Sequence, residues 1–424
     1  MTSTFILRDL RLFTGTTTIE KGYIQITSGL ITSLGPISQC PDLPIPTFSL
    51  PHHTLLPGLI DAHIHADKGN PLALTQSLAF GITTVCDMAN ELPNVQKLHK
   101  QTKEADTADY KTAGQAATIE NGWPIPVITA HDKSEETLRE IASWPKLKTR
   151  EDVVEYLDWN TREMKPDYIK LMHESGTSLG MQLEYPSVEL QKIIVEEAKK
   201  RGYLVVAHAL SLRDALEVLE AGVDGTTHTI CDQPPTRELV EAYKRNGAWC
   251  NPTLAAIGSL TTEGQELQER FAHDERVESI LAEAEGQKMC KCMAMGMNHS
   301  KVENAYESVR MLREAGVDII CGSDAAGPAL GTAYGLTMHH ELHLFVKKIG
   351  MSPEEALKSA TSLTASRFKF EDRGRLAEGL KGDLLLVEGN PLEDINDTLN
   401  IRGVWRDGKL CSVWRDRFSG GKTG

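Results

Sequence analysis

Six side chains in this sequence can do chemistry together if the fold brings them to one point: His63, His65, Lys170, His208, His228 and Asp324. His63 and His65 close the stretch Leu56-Pro57-Gly58-Leu59-Ile60-Asp61-Ala62-His63-Ile64-His65, in which turn residues give way to a short apolar run. Side chains at i and i+2 of a strand share a face, so the two imidazoles would project together from one strand end. Such a pair is half of a metal site and needs further donors. His208, His228 and Asp324 each stand at or just beyond the end of another strand-like run. Four histidines and a carboxylate, with no thiolate, suit zinc and its first-row neighbours.

The elements that must position these residues follow a β-then-α grammar through the middle of the chain. Strand-like runs cover 56–64, 81–86, 125–130, 168–172, 204–208, 225–228, 248–252 and 317–322. Helical patterns cover 136–144, 150–164, 187–201, 212–221, 236–246, 302–315 and 353–366. Eight strand runs separated by helices predict an α/β fold, a parallel (β/α)8 TIM barrel, whose functional residues sit at the C-terminal strand ends. All six candidates fall at that edge. Residues 4–55 and 376–415 instead read as short antiparallel strands that pair into one composite β-sandwich built from both chain ends. The expected division is 1–55, 56–373 and 374–424. The segment 88–123 reads as a helix and a loop, 255–300 as a helical insertion, and the tail 419–424 as frayed.

Composition narrows the partners. The chain has 424 residues, 40% hydrophobic and 25% charged, enough for a large core. Its net charge of -14 argues against nucleic acid or an anionic membrane surface as a partner, and the expected partner is a small-molecule substrate at the candidate site. No apolar run reaches the ~18–20 residues of a membrane span. Charges interrupt the apolar N-terminal segment, so it does not read as a signal peptide. The eight cysteines are scattered and predict free thiols in a reducing, cytoplasmic setting. Cys290 and Cys292 lack a second pair at zinc-ribbon spacing.

The residues carry a family resemblance. His63-Ile64-His65, the single strand-end His208 and His228, and Gly322-Ser323-Asp324 resemble the metal ligands of the amidohydrolase superfamily. The flanks Leu56-Pro57-Gly58-Leu59-Ile60-Asp61, Glu354-Glu355-Ala356-Leu357 and Gly382-Asp383 through Gly389-Asn390-Pro391 agree with it. Asp167-Tyr168-Ile169-Lys170-Leu171-Met172 is similar to the branch of imidazolonepropionase-related Xaa-Pro and Xaa-Arg dipeptidases and ochratoxinase-like amidases. The resemblance implies two Zn2+ ions bridged by a carboxylated Lys170. It assigns His63 and His65 to the buried ion, His208 and His228 to the exposed one, and the general-base role to Asp324. It further implies a homo-oligomer that hydrolyses a C–N bond, in an N-acyl amino acid or dipeptide. The same site could instead serve lactone or carbamate hydrolysis, deamination or decarboxylation. Leu210, Thr227 and Thr229 motivate that alternative, because relatives often carry other residues there. Candidate substrate contacts are His131 after the third strand, His173 and Tyr185 beyond Lys170, and His339 on the helix after the eighth strand. Each has an ordinary packing or surface role as its alternative.

Overall fold

In the computed structural model, which describes residues 4–415 and 418, strands and helices alternate through the middle of the chain. Seven strands lie there: Leu59–His65, Ile82–Asp87, Asp109–Thr112, Ile169–Leu171, Val205–His208, Gly225–Thr227 and Trp249–Asn251. A two-residue eighth, Ala325–Ala326, completes the set. Every pairing among them is parallel. The first three and the eighth form one four-stranded sheet, and the fourth to seventh form another. Single parallel bridges, Ala117 to Leu171 and Cys250 to Ile319, cross the two seams. The barrel expectation is therefore corrected in one respect. Eight parallel strands alternate with helices, but their ladders make two half-sheets and not one closed barrel.

Period-two alternation sorts the strand residues into two cores. Ile60, Ala62, Cys86, Tyr168, Val206 and Trp249 meet inside, with the Phe368 ring packed on Tyr168 and Trp249 at 5.0 and 5.4 Å. Their strand neighbours Ile82, Val85, Ile169, Leu171, Val205 and Ala207 face outward to the helices. Both faces of each strand are thus covered, as parallel sheets require.

Two strand expectations fail for physical reasons. Residues 125–130 are not a strand but part of the helix Ile125–His131, in which Pro126 occupies the first turn, where a missing N–H is harmless. The third strand is Asp109–Thr112, inside the segment expected to hold a helix and a loop. Its polar residues give no apolar run because each has a specific partner. Tyr110 donates to Asp87 at 2.7 Å, and Asp109 pairs with Arg373. Of 317–322 only Ile319 bridges, and the ladder with the first strand forms later, at Ala325–Ala326.

The chain ends build one eight-stranded sheet. Its order is Lys409–Leu410, Ile401–Arg406, Leu384–Glu388, His53–Pro57, Thr4–Phe13, Thr18–Thr27 and Leu30–Pro36, with Thr47–Ser49 also on Thr4–Phe13. Phe5 and Trp405 lie three strands apart in that order, yet their rings meet at 6.0 Å. Strands are spaced by about 4.8 Å, so the sheet curls over its own apolar face, and no second sheet is needed to cover it. The frayed tail expected over 419–424 lies outside the described residues.

Arg373 ties the return from the half-sheets to their edge. Its side chain is 4% exposed, donates to Thr84 Oγ1 at 2.8 Å and pairs with Asp109 and Asp372. Burial alone would raise the Asp109 carboxyl, but the Arg373 guanidinium outweighs that and holds it below the usual range. A carboxylate depressed in the fold adds stability above its unfolded pKa of about 4. That stability is lost as pH falls through the folded value. Arg373→Met is expected to lower stability by about 3 kcal/mol at neutral pH. The deficit should shrink under acid, and urea midpoints at the two pH values measure it. Equal midpoints at neutral pH would refute the tie.

Candidate functional site

Lys170 and His208 face inward by simple alternation, two residues after the inner-core Tyr168 and Val206. The other donors need a break in that rule. Ile60 and Ala62 face inward, which would send His63 and His65 outward. A register shift between Asp61 and Ile64 reverses the parity, so Ile64 joins the outer core and the two histidines turn in. On the sixth strand, Gly225 lies against the Trp249 ring and Thr227 accepts a hydrogen bond from Lys170, so both face inward. Strict alternation would turn His228 away. Its left-handed backbone, φ 48°, brings it back, and Asp324 enters in the same way at φ 54°.

The donors converge in two groups. His63 Nε2 lies 3.2 Å from His65 Nε2, and Asp324 Oδ1 is 3.1 and 3.6 Å from them. One ligand atom from each of the three lies within 4.8 Å of the others. His228 Nε2 faces His208 Nδ1 at 3.2 Å. The His63 and His228 ring centres are 5.2 Å apart, which joins the groups. Lys170, 1% exposed, donates to Thr227 and has no carboxylate partner among the described residues. Burial pushes its ammonium down to about 7. Burial also holds His63, His208 and His228 well below the usual imidazole range, so these rings are neutral.

The outer edges of the second pair are engaged. His208 Nε2 is 3.2 Å from Glu174 Oε2, and His228 Nδ1 is 2.6 Å from Thr253 Oγ1. With Glu174 and Thr253 accepting, each imidazole has its proton on the outer nitrogen and its lone pair on the inner one. Two lone pairs then face each other at 3.2 Å, an arrangement that a cation relieves. The residues present therefore fit a divalent metal, with nitrogen and oxygen donors of the type zinc accepts.

Asp61 holds the first group together. This fully buried carboxylate accepts from His63 N at 3.1 Å, Ser323 N at 2.9 Å and Ser323 Oγ at 2.5 Å. It thereby clasps the strand that carries His63 to the turn that carries Asp324. Gly322 permits the approach, because a Cβ there would lie 2.8 Å from His63 N and 2.5 Å from Asn251 Nδ2.

The expected substrate contacts fare differently. His131 ends the helix Ile125–His131 and is exposed, so it does not follow a strand as expected. His339 is corrected to a packing role. Its Nδ1 is 2.9 Å from Thr398 Oγ1 and its Nε2 is 2.9 Å from the Phe80 carbonyl, which leaves no ring nitrogen for a substrate. His173 is fully buried, with Nε2 3.3 Å from both Asp214 and Glu217 and Nδ1 2.9 Å from Gln191. Burial alone would lower its pKa, but the two acids outweigh that and raise it. It braces the loop after Lys170 and cannot reach a substrate. Tyr185 packs edge-on to His173 at 5.0 Å, and its hydroxyl accepts from Arg213. Leu210 is buried in the outer core, and Thr229 pairs with Ser308 at 2.8 Å. Of the three departures only Thr227 touches a candidate ligand, Lys170. Asp61, Thr253 and the buried Glu341 were missed. No spacing signal marks them, since each acts through backbone amides or another side chain. Trp123, 5.2 Å from the His208 ring, was also missed.

The chain is similar to proteins of known kind. A model described as the amidohydrolase family matches residues 54–411. Ochratoxinase of Aspergillus niger is 29% identical over 231 residues, 53% of this chain and 41% of that protein. Imidazolonepropionase of Nocardia farcinica is 29% identical over 154 residues, 34% of this chain and 33% of that protein. These matches span less than half the length of either relative. The solved structure of a Xaa-Pro dipeptidase with bound methionine in the active site has a TM-score of 0.74 at 21% identity, covering 96% of this chain and 99% of that one. At that identity the likeness is one of fold.

Gly322→Ala adds one methyl group at the point where the first strand, the seventh strand and the Asp324 turn meet. It is expected to cost about 1–3 kcal/mol by overpacking, measured by urea unfolding. An unchanged midpoint would show that the backbone approach around His63 is not tight.

Proposed function

The chain belongs to the amidohydrolase family, and on that premise we propose that it is a metal-dependent hydrolase. Its substrate is a small molecule with an amide-type C–N bond, an N-acyl amino acid or dipeptide. The observation that carries this reading is the convergence of two histidine pairs and Asp324 with the buried Lys170, which makes no ion pair among the described residues. His63, His65 and Asp324 would hold one ion, and His208 and His228 a second. What two zinc ions supply when bound is a water acidified toward neutrality and a polarised scissile carbonyl.

The chain's own residues supply the rest. Lys170, with its ammonium pushed down to about 7, has a substantial neutral fraction at physiological pH. A neutral amine adds CO2 to give a carbamate and releases one proton, and the two carbamate oxygens can serve both metal positions. Asp324, 17% exposed at its side chain and 3.1 Å from His63 Nε2, would take a proton from the attacking water. The same carboxyl then delivers that proton to the departing amine nitrogen. The dipeptide and N-acyl classes are favoured by the Xaa-Pro dipeptidase and ochratoxinase among the similar proteins. Leu210 and Thr229 are absorbed by packing, so they give no support to a different reaction.

The reading is tested with a panel of dipeptides and N-acyl amino acids, with lactones and aromatic acids alongside. Amine release from the first two classes is expected, and Asp324→Asn should reduce it by about 10²–10⁴-fold. Metal analysis should find two equivalents per chain, with loss in Lys170→Ala. Ring-opened acid or CO2 without amine would defeat the C–N assignment, and one equivalent in the parent would defeat the lysine bridge.

A further inference from the structure

The hydrolytic reading gives no role to the buried acid Glu341. Glu341 lies on the helix Leu336–Leu344, is fully buried, and makes no contact with a candidate ligand. Its Oε1 accepts from Leu254 N and its Oε2 from Ala255 N, both at 2.8 Å. Those amides open the helix Leu254–Thr261, where N–H groups have no partner within the helix. A carboxylate at such an end is also favoured by the helix dipole.

Thr253 precedes that helix and is of a residue type that ordinarily caps it. A capping threonine adopts an extended backbone and turns its hydroxyl onto an amide of the first turn. Here Thr253 has φ 48° and ψ 50° and makes no capping hydrogen bond. Its hydroxyl points elsewhere, to His228 Nδ1 at 2.6 Å. A β-branched residue in the left-handed region is strained, so the surroundings must hold it there. Glu341 takes the first two amides of the helix, and one of them, Ala255 N, is within the reach of a capping threonine.

We propose that Glu341 is a positioning residue for His228: it caps the helix in place of Thr253 and so frees the Thr253 hydroxyl to orient the imidazole. The chain of contacts runs from the Glu341 carboxylate through the Leu254 and Ala255 amides to Thr253, and from its hydroxyl to His228. With Thr253 accepting at Nδ1, the Nε2 lone pair is fixed toward the interior. The proposal rests on the metal-centre reading of the site.

The test uses the full chain loaded with zinc, with zinc release to a chelator and thermal unfolding of the metal-free protein as readouts. Thr253→Val and Glu341→Gln should each weaken one of two zinc equivalents by about 10–100-fold and leave the other as in the parent. Thr253→Ser, which keeps the hydroxyl, should behave as the parent. The double variant should be no weaker than the worse single one, because the two residues act in series. Should Glu341→Gln not fold, Glu341→Asp, which keeps the charge one methylene further off, takes its place. A Glu341 variant with lowered thermal stability but unchanged zinc release would make Glu341 a helix cap only and overturn the relay. A parent that binds no zinc would overturn the metal-centre reading and the relay with it. Two tightly held equivalents in parent and variants alike would overturn the relay alone.

Discussion

The Asp61 carboxylate accepts one hydrogen bond from the backbone of the first strand and two from Ser323, all within 3.1 Å and away from solvent. Burial raises its carboxyl, and even with the donors from Ser323 and His63 pulling the other way it stands at about 7. Placing an acid there is costly unless those donors are fully used. When they are, the strand carrying His63 and the turn carrying Asp324 cannot separate without leaving several polar groups unpaired. The approach of Gly322 to His63 N and the entry of Asp324 at a left-handed φ both depend on this clasp.

A parallel strand offers a side chain to the interior at every second residue, and that is too sparse for a site with this many donors. The fold meets the shortage by breaking its own regularity at the strand ends. A register shift turns His63 and His65 inward, and left-handed residues do the same for His228 and Asp324. Each left-handed residue carries strain of about 1–3 kcal/mol. Buried hydrogen bonds stand beside each of them: Asp61 next to His63 and Asp324, and Glu341 behind Thr253. Strain and its restraint are thus found together at the C-terminal edge and nowhere along the regular middle of the strands.

What the sequence made legible follows from this division. Lys170 and His208 could be found from strand runs, because their positions obey period two. The His63–His65 pair was found from its spacing, although the bulge that aims it leaves no trace in residue type. His228 and Asp324 were recognisable by family motif, while alternation alone would have placed His228 on the wrong face. The helix at 125–131 was misread because Ile125, Val127, Ile128 and Thr129 are β-branched or apolar, and the helix-starting prolines carry less weight in that pattern. The error carried His131 with it. His339 looked available because a helix after the eighth strand faces the right edge, and only the partners at both ring nitrogens exclude it.

The two half-sheets divide the donors in a way that neither half repeats. Leu59–His65 and the residues just before Ala325–Ala326 supply His63, His65 and Asp324, while the other sheet supplies Lys170, His208 and, just past its sixth strand, His228. No ladder longer than one bridge crosses the seams between them among the described residues. On the proposed reading each ion is held from one half, and the carbamate on Lys170, shared by both ions, would act as the rivet through the joint. Their binding free energy then adds to the cohesion of the protein as well as to its chemistry, because it is gained only while the halves are closed. On that reading the closure of the joint would itself report on the metal supply.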